Sequence, residues 1–250
     1  MSIARADAGG IATIAIDRPL RKNALRLQDW KALTECAARA DADEAVRAII
    51  LTAKNPQLFC AGADIADIAA NHQDAAWRTG NYAAVRACNR ALWEADKPVI
   101  AAIGGDCIGG GCGLALACDL RIAAPGARFG VTPARLGIAY ARFDTSLLVA
   151  AVGDAQARRL LLTAALIDAE EAYRIGLIHE IAADPMARAR AFAIQMMALS
   201  PHSIAVSKRH LRAIARGVVD DDTESRALFT ESFARDGFSE RLERFLSRKN

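Results

Sequence analysis

Short apolar runs alternate with glycine-bearing turns and helix-period segments through roughly the first 180 residues. The run IATIAID at 11–17 is β-branched and apolar and predicts a strand. DRPLRKNAL breaks it at Pro19, after which Leu27, Trp30, Leu33 and Ala37 recur near helical spacing. VRAIILTA at 46–53 predicts a buried strand, followed by the turn residues KNPQ. FCAGADI at 59–65 leaves that strand region and opens another helical stretch. KPVIAAIGG at 97–105 predicts a strand ending in glycines, and IGGGCGLALACD at 108–119 starts a helix of small residues. DLRIAA at 119–124 returns as a strand. The recurrence has no fixed sequence period, and it predicts an α/β core with mostly parallel crossovers.

Further along, Asp168 and Glu171 form a capping-box pattern, Gly176 is placed to stop that helix, and LIHEI at 177–181 predicts a short strand. From Asp184 the pattern is helical, with Met186, Ala189, Phe192 and Met196 on one face. Ser200-Pro201 restarts the chain into a helix bearing Ile204, Leu211 and Ile214. Residues 222–235 and 239–248 predict two more helices, separated by Asp236-Gly237. The expected organisation is an α/β core over 1–183 and a helical region over 184–250.

Composition narrows the function classes. Of 250 residues, 53% are apolar, with alanine rather than aromatics dominant, so a large core of small helix contacts can form. The 32 basic and 29 acidic residues leave a formal charge of +3, which gives no overall pull towards nucleic acid or an anionic membrane. No apolar stretch reaches the length of a membrane span, and the N-terminus carries no leader pattern, so the expectation is a cytoplasmic protein. The six cysteines form no CxxC pair, and none stands near a histidine at metal-ligand spacing. They are expected to be small buried residues in a reducing compartment. His72 falls in a polar stretch suited to a pocket rim, whereas His179, His202 and His210 read as structural or exposed. Spacing reveals no nucleophile–base pair.

FCAGADI and CIGGGCGLALACD each place glycine where the chain turns into a helix. Glycine lets a ligand approach the backbone closely, and the first amides of a helix lack intrahelical partners. Two such turns facing each other would aim two N–H groups at one carbonyl oxygen, as an oxyanion hole requires. The same glycines serve equally well for close helix–strand packing, and spacing alone leaves both readings open.

FCAGADI followed by KPVIAAIGGDCIGGGCGLALACDLRIAAPGARFG resembles the signature stretch of the enoyl-CoA hydratase/isomerase (crotonase) superfamily. The likeness continues through LGIAY, LLTAALIDAEEAYRIGLIHEI and the helical tail. It implies a crotonase-like spiral of ββα turns with C-terminal helices, assembled as trimers or dimers of trimers. It also implies an acyl-CoA substrate, coenzyme A entering as part of that substrate with no separate cofactor or metal. By the resemblance, the backbone amides of Ala63 and Gly110 are the oxyanion donors. Arg18, Lys22 and Ala24 match the segment that meets the nucleotide end of CoA. Backbone from Ala61 through Gly62 and Asp64 to Ile65 lines the pantetheine and adenine side. Phe245 and Arg248 match an aromatic and a basic residue that reach a neighbouring subunit's CoA, although RLERF lacks the small residue common before that aromatic.

The chain departs from the family where acid/base chemistry is expected. The family's hydratases carry glutamates in GGGCE and FGxPE; this chain reads GGGCG and FGVTPA, placing Gly113 and Pro133 there. Neither residue transfers protons. TPARLGIAY resembles the TPxxLGxxY stretch of methylmalonyl-CoA decarboxylase-like members, which makes Tyr140 a candidate for orienting a carboxylate. Those members carry histidine where this chain has Ala63 and keep the acid after the second turn. Asp64 is expected at a helix terminus, Asp119 at a turn, and Asp144 as a cap of the helix that follows, beside Thr145 and Ser146. Three readings follow: an acyl-CoA enzyme with an atypical acid/base set, a methylmalonyl-CoA-type decarboxylase, and a non-catalytic acyl-CoA-binding homologue.

Overall fold

The computed structural model describes residues 2–235 and 237–247. The chain forms two compact units, Met1–Ala198 and Leu199–Asn250.

The first unit is mixed α/β. Its main sheet contains β1 (Ile3–Ala8), β2 (Ile11–Ile16), β3 (Ala48–Ala53), β4 (Val99–Ile103), β6 (Leu120–Ala123) and β9 (Glu180–Ile181), side by side in that order. β1 and β2 form an antiparallel hairpin, and every later pairing is parallel. The strands at 11–17, 46–53, 97–105 and 119–124 form as their patterns predict, trimmed at the ends. β1 is an addition. Of its residues only Ile3 is buried; Ala4, Ala6 and Ala8 alternate with Arg5 and Asp7 but lie exposed, so the alternation marks no buried face.

Successive residues of a strand face opposite sides of a sheet, and both sides here are covered. Ile14, Ile16, Ile49 and Leu51 face one core with Phe59, Phe129 and helices α1 (Leu27–Ala42) and α3 (Ala75–Glu94). Trp30, Leu33 and Ala37 of α1 are buried there, as their spacing predicts. Ile11, Ile50, Ile100 and Ile122 face the other side, where Ala189 and Ala193 of α7 (Pro185–Met197) pack on them. α7 therefore belongs to the first unit, and the units divide later than the expected boundary at 183/184.

A second, small sheet pairs β5 (Cys107–Ile108), β7 (Arg128–Gly130) and β8 (Ile167–Asp168). α4 (Gly110–Ala117) and α6 (Ala169–Arg174) pack on it, α5 (Arg142–Thr163) packs on α4, and α2 (Ile65–Asn71) follows the first glycine-bearing turn. The Asp168 carboxylate accepts from the Glu171 N–H and caps α6. Asp119 fixes the turn into β6, its carboxylate accepting from the Val99 N–H at 2.7 Å.

The second unit comprises α8 (Pro201–Ala215), α9 (Thr223–Glu231) and α10 (Phe238–Ser247). Ser200 caps α8 by accepting from the Ser203 N–H. Phe229, Phe233 and Phe238 form a chain of edge-to-face contacts, each pair of ring centres 5.5 Å apart.

All six cysteines are free; Cys36 is half-buried and the other five are buried. Burial alone pushes the Cys60 thiol up to about 12. No helix among the described residues is long and apolar enough to cross a membrane.

Candidate active site

The two glycine-bearing turns meet. FCAGADI is held on one side by the strap 22–25: the Ala61 N–H donates to the Lys22 carbonyl at 3.0 Å and the Leu25 N–H to the Gly62 carbonyl at 2.7 Å. The Asp64 N–H returns a bond to the Leu25 carbonyl at 2.9 Å. This is a parallel bridge between Leu25 and Ala63. In such a bridge the bonds to the partner come from the residues flanking Ala63, so the Ala63 N–H points away from the strap.

The second turn is fastened to the first through Cys60. Its N–H donates to the Asp106 carbonyl at 3.0 Å, and its carbonyl accepts from the Ile108 N–H at 3.0 Å. The chain then turns at Gly109 and enters α4 at Gly110. A Cβ on Gly111 would lie 2.1 Å from the Cys60 carbonyl oxygen, so only glycine allows this seating. Gly62 has φ +90°, and a Cβ there would lie 2.8 Å from the Gly110 nitrogen and 2.7 Å from the Ile108 carbonyl oxygen. Among the described residues neither the Ala63 nor the Gly110 N–H has a hydrogen-bond partner. Gly110 begins α4, so its amide also sits at the positive end of the helix dipole. The edge of the Trp30 ring closes over it, 3.1 Å from where a Cβ of Gly110 would lie.

The basic segment has divided roles. Arg18 is turned inward: its guanidinium pairs with Asp64 at 2.8 Å and Asp29 at 3.4 Å and donates to the Ala24 carbonyl. Burial opposes ionisation of Asp64, but the Arg18 and Ala66 hydrogen bonds outweigh it and hold the carboxyl below the usual range. That carboxylate also caps α2 by accepting from the Ala66 N–H at 2.9 Å, the helix-terminus role its position suggests. Lys22 takes a left-handed conformation at φ 50° and lines a cleft of about 330 Å³ with Gln57, Phe59 and Gly105. Ile65 is 53% exposed at the start of α2, an apolar side chain left open to solvent. Phe245 is an exposed residue of α10 in the second unit, and Arg248 lies outside the described residues.

One turn beyond Gly110, three elements converge on Gly113. A Cβ there would lie 3.1 Å from Asn89 Nδ2, 3.2 Å from the Tyr140 hydroxyl and 3.5 Å from Asp144 Oδ2. Asn89 is on α3, Tyr140 precedes α5 and Asp144 is in the first turn of α5. Asp144 is not the helix cap its sequence position suggests. Ala141 is the N-cap residue, and the Asp144 carboxylate instead points inward, 3% exposed, accepting from Asn89 Nδ2 at 2.9 Å. Burial raises the Asp144 pKa, opposed by the Asn89 hydrogen bond and by the charge of Arg86. Burial likewise pushes the Tyr140 phenol well above its usual range. The Tyr140 hydroxyl, Asn89 Oδ1 and Trp30 Nε1 are buried atoms with no hydrogen-bond partner among the described residues. Such atoms are uncommon in folded proteins and call for an explanation. Asp144, in YARFDTS, is the nearest carboxylate downstream of the missing glutamate positions, but nothing local in the sequence pairs it with Asn89; Gly113 leaves room for side chains from elsewhere.

The histidines stand apart. His72 is exposed, with Nδ1 at 3.0 Å from the Ala69 carbonyl oxygen. His179 Nδ1 accepts from the Arg121 N–H at 3.1 Å, and the ring's pKa falls to about 4 through burial and the nearby Arg121 charge. His202 Nε2 lies 3.2 Å from the Leu228 carbonyl oxygen, and His210 Nε2 is buried without a partner among the described residues.

The sequence profile of the enoyl-CoA hydratase/isomerase family matches residues 6–250. A short-chain-enoyl-CoA hydratase of Clostridium acetobutylicum is 34% identical over 227 residues, spanning 90% of this chain and 85% of that one. A solved structure from Hyphomonas neptunium, described as an enoyl-CoA hydratase/isomerase family protein, superposes with a TM-score of 0.95 at 35% identity, covering 99% of this chain and 95% of that one. An enoyl-CoA hydratase/carnithine racemase from Magnetospirillum magneticum gives 0.93 at 27% identity, covering 99% and 93%. The crotonase-like α/β fold is thus shared along nearly the whole chain, and the protein belongs to the enoyl-CoA hydratase/isomerase family.

Proposed function

We propose that the protein is an enzyme acting on an acyl-CoA thioester, with the enolate oxygen held by the backbone amides of Ala63 and Gly110. The observation that carries this reading is the contact between the turns: Gly62 is so close to Gly110 that a Cβ would fall 2.8 Å from its nitrogen. Two amides without internal partners therefore belong to one small region. When a proton leaves the carbon next to a thioester carbonyl, negative charge gathers on the oxygen. Preorganised N–H donors lower the energy of that state, and each typically contributes about 10²–10³ in rate. The Clostridium relative, named a short-chain-enoyl-CoA hydratase, supports an enoyl-CoA as the substrate class.

Proton transfer takes a different form from that of the family's hydratases, because Gly113 and Pro133 occupy the positions that resemble the glutamate sites. Decarboxylation of a malonyl-type thioester is the weaker reading. The Tyr140 hydroxyl is free to orient a carboxylate, but Asp144 beside it would repel a second negative charge in a buried site. In the assembly we propose, trimers or dimers of trimers, the exposed Phe245 of α10 meets a neighbour's CoA.

A substrate panel tests the reading. The protein is incubated with crotonyl-CoA, a β,γ-enoyl-CoA and methylmalonyl-CoA, and products are followed by mass spectrometry. Hydration or double-bond migration of an enoyl-CoA is the expected result. Loss of CO₂ from methylmalonyl-CoA alone would favour decarboxylation. Binding without turnover would leave an acyl-CoA-binding protein, and failure to bind any thioester would overturn the proposal.

A further inference from the structure

We infer that Asp144, oriented by Asn89, is the proton-transferring carboxyl of the thioester site, supplied from α5 in place of a side chain at position 113. The inference rests on the proposal that Ala63 and Gly110 hold a thioester oxygen.

The geometry of α4 carries the argument. Gly110 and Gly113 are three residues apart and share one helix face. A side chain leaving Gly113 would start within 3.1–3.5 Å of Asn89 Nδ2, the Tyr140 hydroxyl and Asp144 Oδ2. The space a residue at 113 would fill is thus taken by polar groups from α3 and α5. An Asn, a Tyr and an Asp buried against alanine- and leucine-rich helices cost desolvation that apolar residues would avoid. The cost is only partly offset, since Asn89 and Asp144 satisfy one another through a single bond at 2.9 Å. Asn89 Oδ1 and the Tyr140 hydroxyl have no partner, and Asp144 Oδ2 carries no hydrogen bond among the described residues. A structural network would close these valences. An active site leaves them open for a substrate.

The Asn89 bond fixes which oxygen works. With Oδ1 held by Nδ2, Oδ2 is the atom turned towards Gly113. Ionised Asp144 takes a proton on Oδ2 from the carbon between the thioester carbonyl and a β,γ double bond. The C–H electron pair enters the dienolate, and its oxygen charge rests on the two amides. The carboxyl then returns the proton to the γ carbon, moving the double bond into conjugation and regenerating the carboxylate. No other reactant is consumed. The Tyr140 hydroxyl, kept neutral by its burial, donates a hydrogen bond beside the reacting carbons. Burial, the Asn89 hydrogen bond and the charge of Arg86 on α3 set the ionisation of Asp144, whose charge in turn helps Cys88 on α3 and Tyr140 at the entry to α5 keep their protons.

The test follows trans-3-hexenoyl-CoA in D₂O by mass spectrometry, with calorimetric binding of the same thioester as a separate readout. In the wild type, double-bond migration is expected, with the transferred proton either retained or exchanged for deuterium while it rests on the carboxyl. Asp144→Asn keeps the shape and should lose about 10²-fold or more in kcat, with binding unchanged. Asn89→Ala, which removes the bond that favours the ionised form, should move the rising limb of the pH–rate profile upward while Asp144→Asn abolishes that limb. Migration undiminished in a folded Asp144→Asn protein would overturn the inference and leave the oxyanion reading standing. A wild type that binds the thioester without moving its double bond or exchanging its protons would also overturn it. No binding by the wild type would overturn both.

Discussion

Gly62 and Gly110 are so close that a single methyl group on Gly62 would lie 2.8 Å from the Gly110 nitrogen. The first therefore has to be glycine for two reasons, contact and a φ of +90°. Gly62→Ala should destabilise the fold by about 2–3 kcal/mol. It should also separate the two turns and reduce enoyl-CoA turnover at least 10²-fold even where the protein remains folded. Chemical denaturation and steady-state kinetics on the same preparation check both effects. Wild-type stability and turnover would mean that the contact is unimportant.

Arg18 is expected to act through the fold. It bridges Asp29 and Asp64, whose side chains are 2% and 7% exposed. Arg18→Met would leave Asp64 with its Ala66 N–H bond alone, while Asp29 keeps the Arg26 guanidinium at 2.9 Å, and should cost about 2–3 kcal/mol in urea unfolding. A change in the KM for CoA thioesters with stability intact would assign Arg18 to ligand binding instead.

Asp144 should trade stability for chemistry. Its pKa is raised on folding, so the folded state binds more protons than the unfolded state above the ordinary carboxylate range. The resulting cost is absent well below pH 4 and grows as pH rises through the folded-state pKa. Asp144→Asn should therefore melt higher than wild type at pH 8 and level with it at pH 3, as scanning calorimetry will read. Equal melting temperatures at both pH values would place the carboxylate in water.

His179 has the opposite sign of effect on acidification. Its folded pKa is depressed to about 4, and its neutral Nδ1 accepts from the Arg121 N–H. The unfolded chain binds the proton first, so stability present above about pH 6.5 should fall as pH drops towards 4. The loss should be on the order of 1 kcal/mol once partial exposure of the ring is allowed for. His179→Asn, which keeps an acceptor without a titrating ring, should flatten that part of the stability–pH curve.

What was legible in the sequence follows from what local pattern encodes. Runs such as AIILTA and VIAAI are apolar on both faces because the sheet is covered on both sides, and they announced themselves as strands. β1 did not, since its alternation is of exposed alanines with charged residues and Ile3 alone is buried. The glycines of the two turns marked unusual backbone, yet their meeting depends on the strap at 22–25 and the bridge at Cys60, which no local rule predicts. Asp144 misled for a related reason. Beside Thr145 and Ser146 it has the composition of a cap, but a helix that starts after Ala141 turns it inward to Asn89, 55 residues away in sequence.

A crystal structure with a bound, slowly reacting acyl-CoA tests the central claim most directly. The thioester oxygen is expected within about 2.7–3.1 Å of both the Ala63 and Gly110 nitrogens, with the carbons next to the carbonyl over Gly113 and facing Asp144. A thioester oxygen bonded to neither amide, with the acyl chain elsewhere, would contradict it.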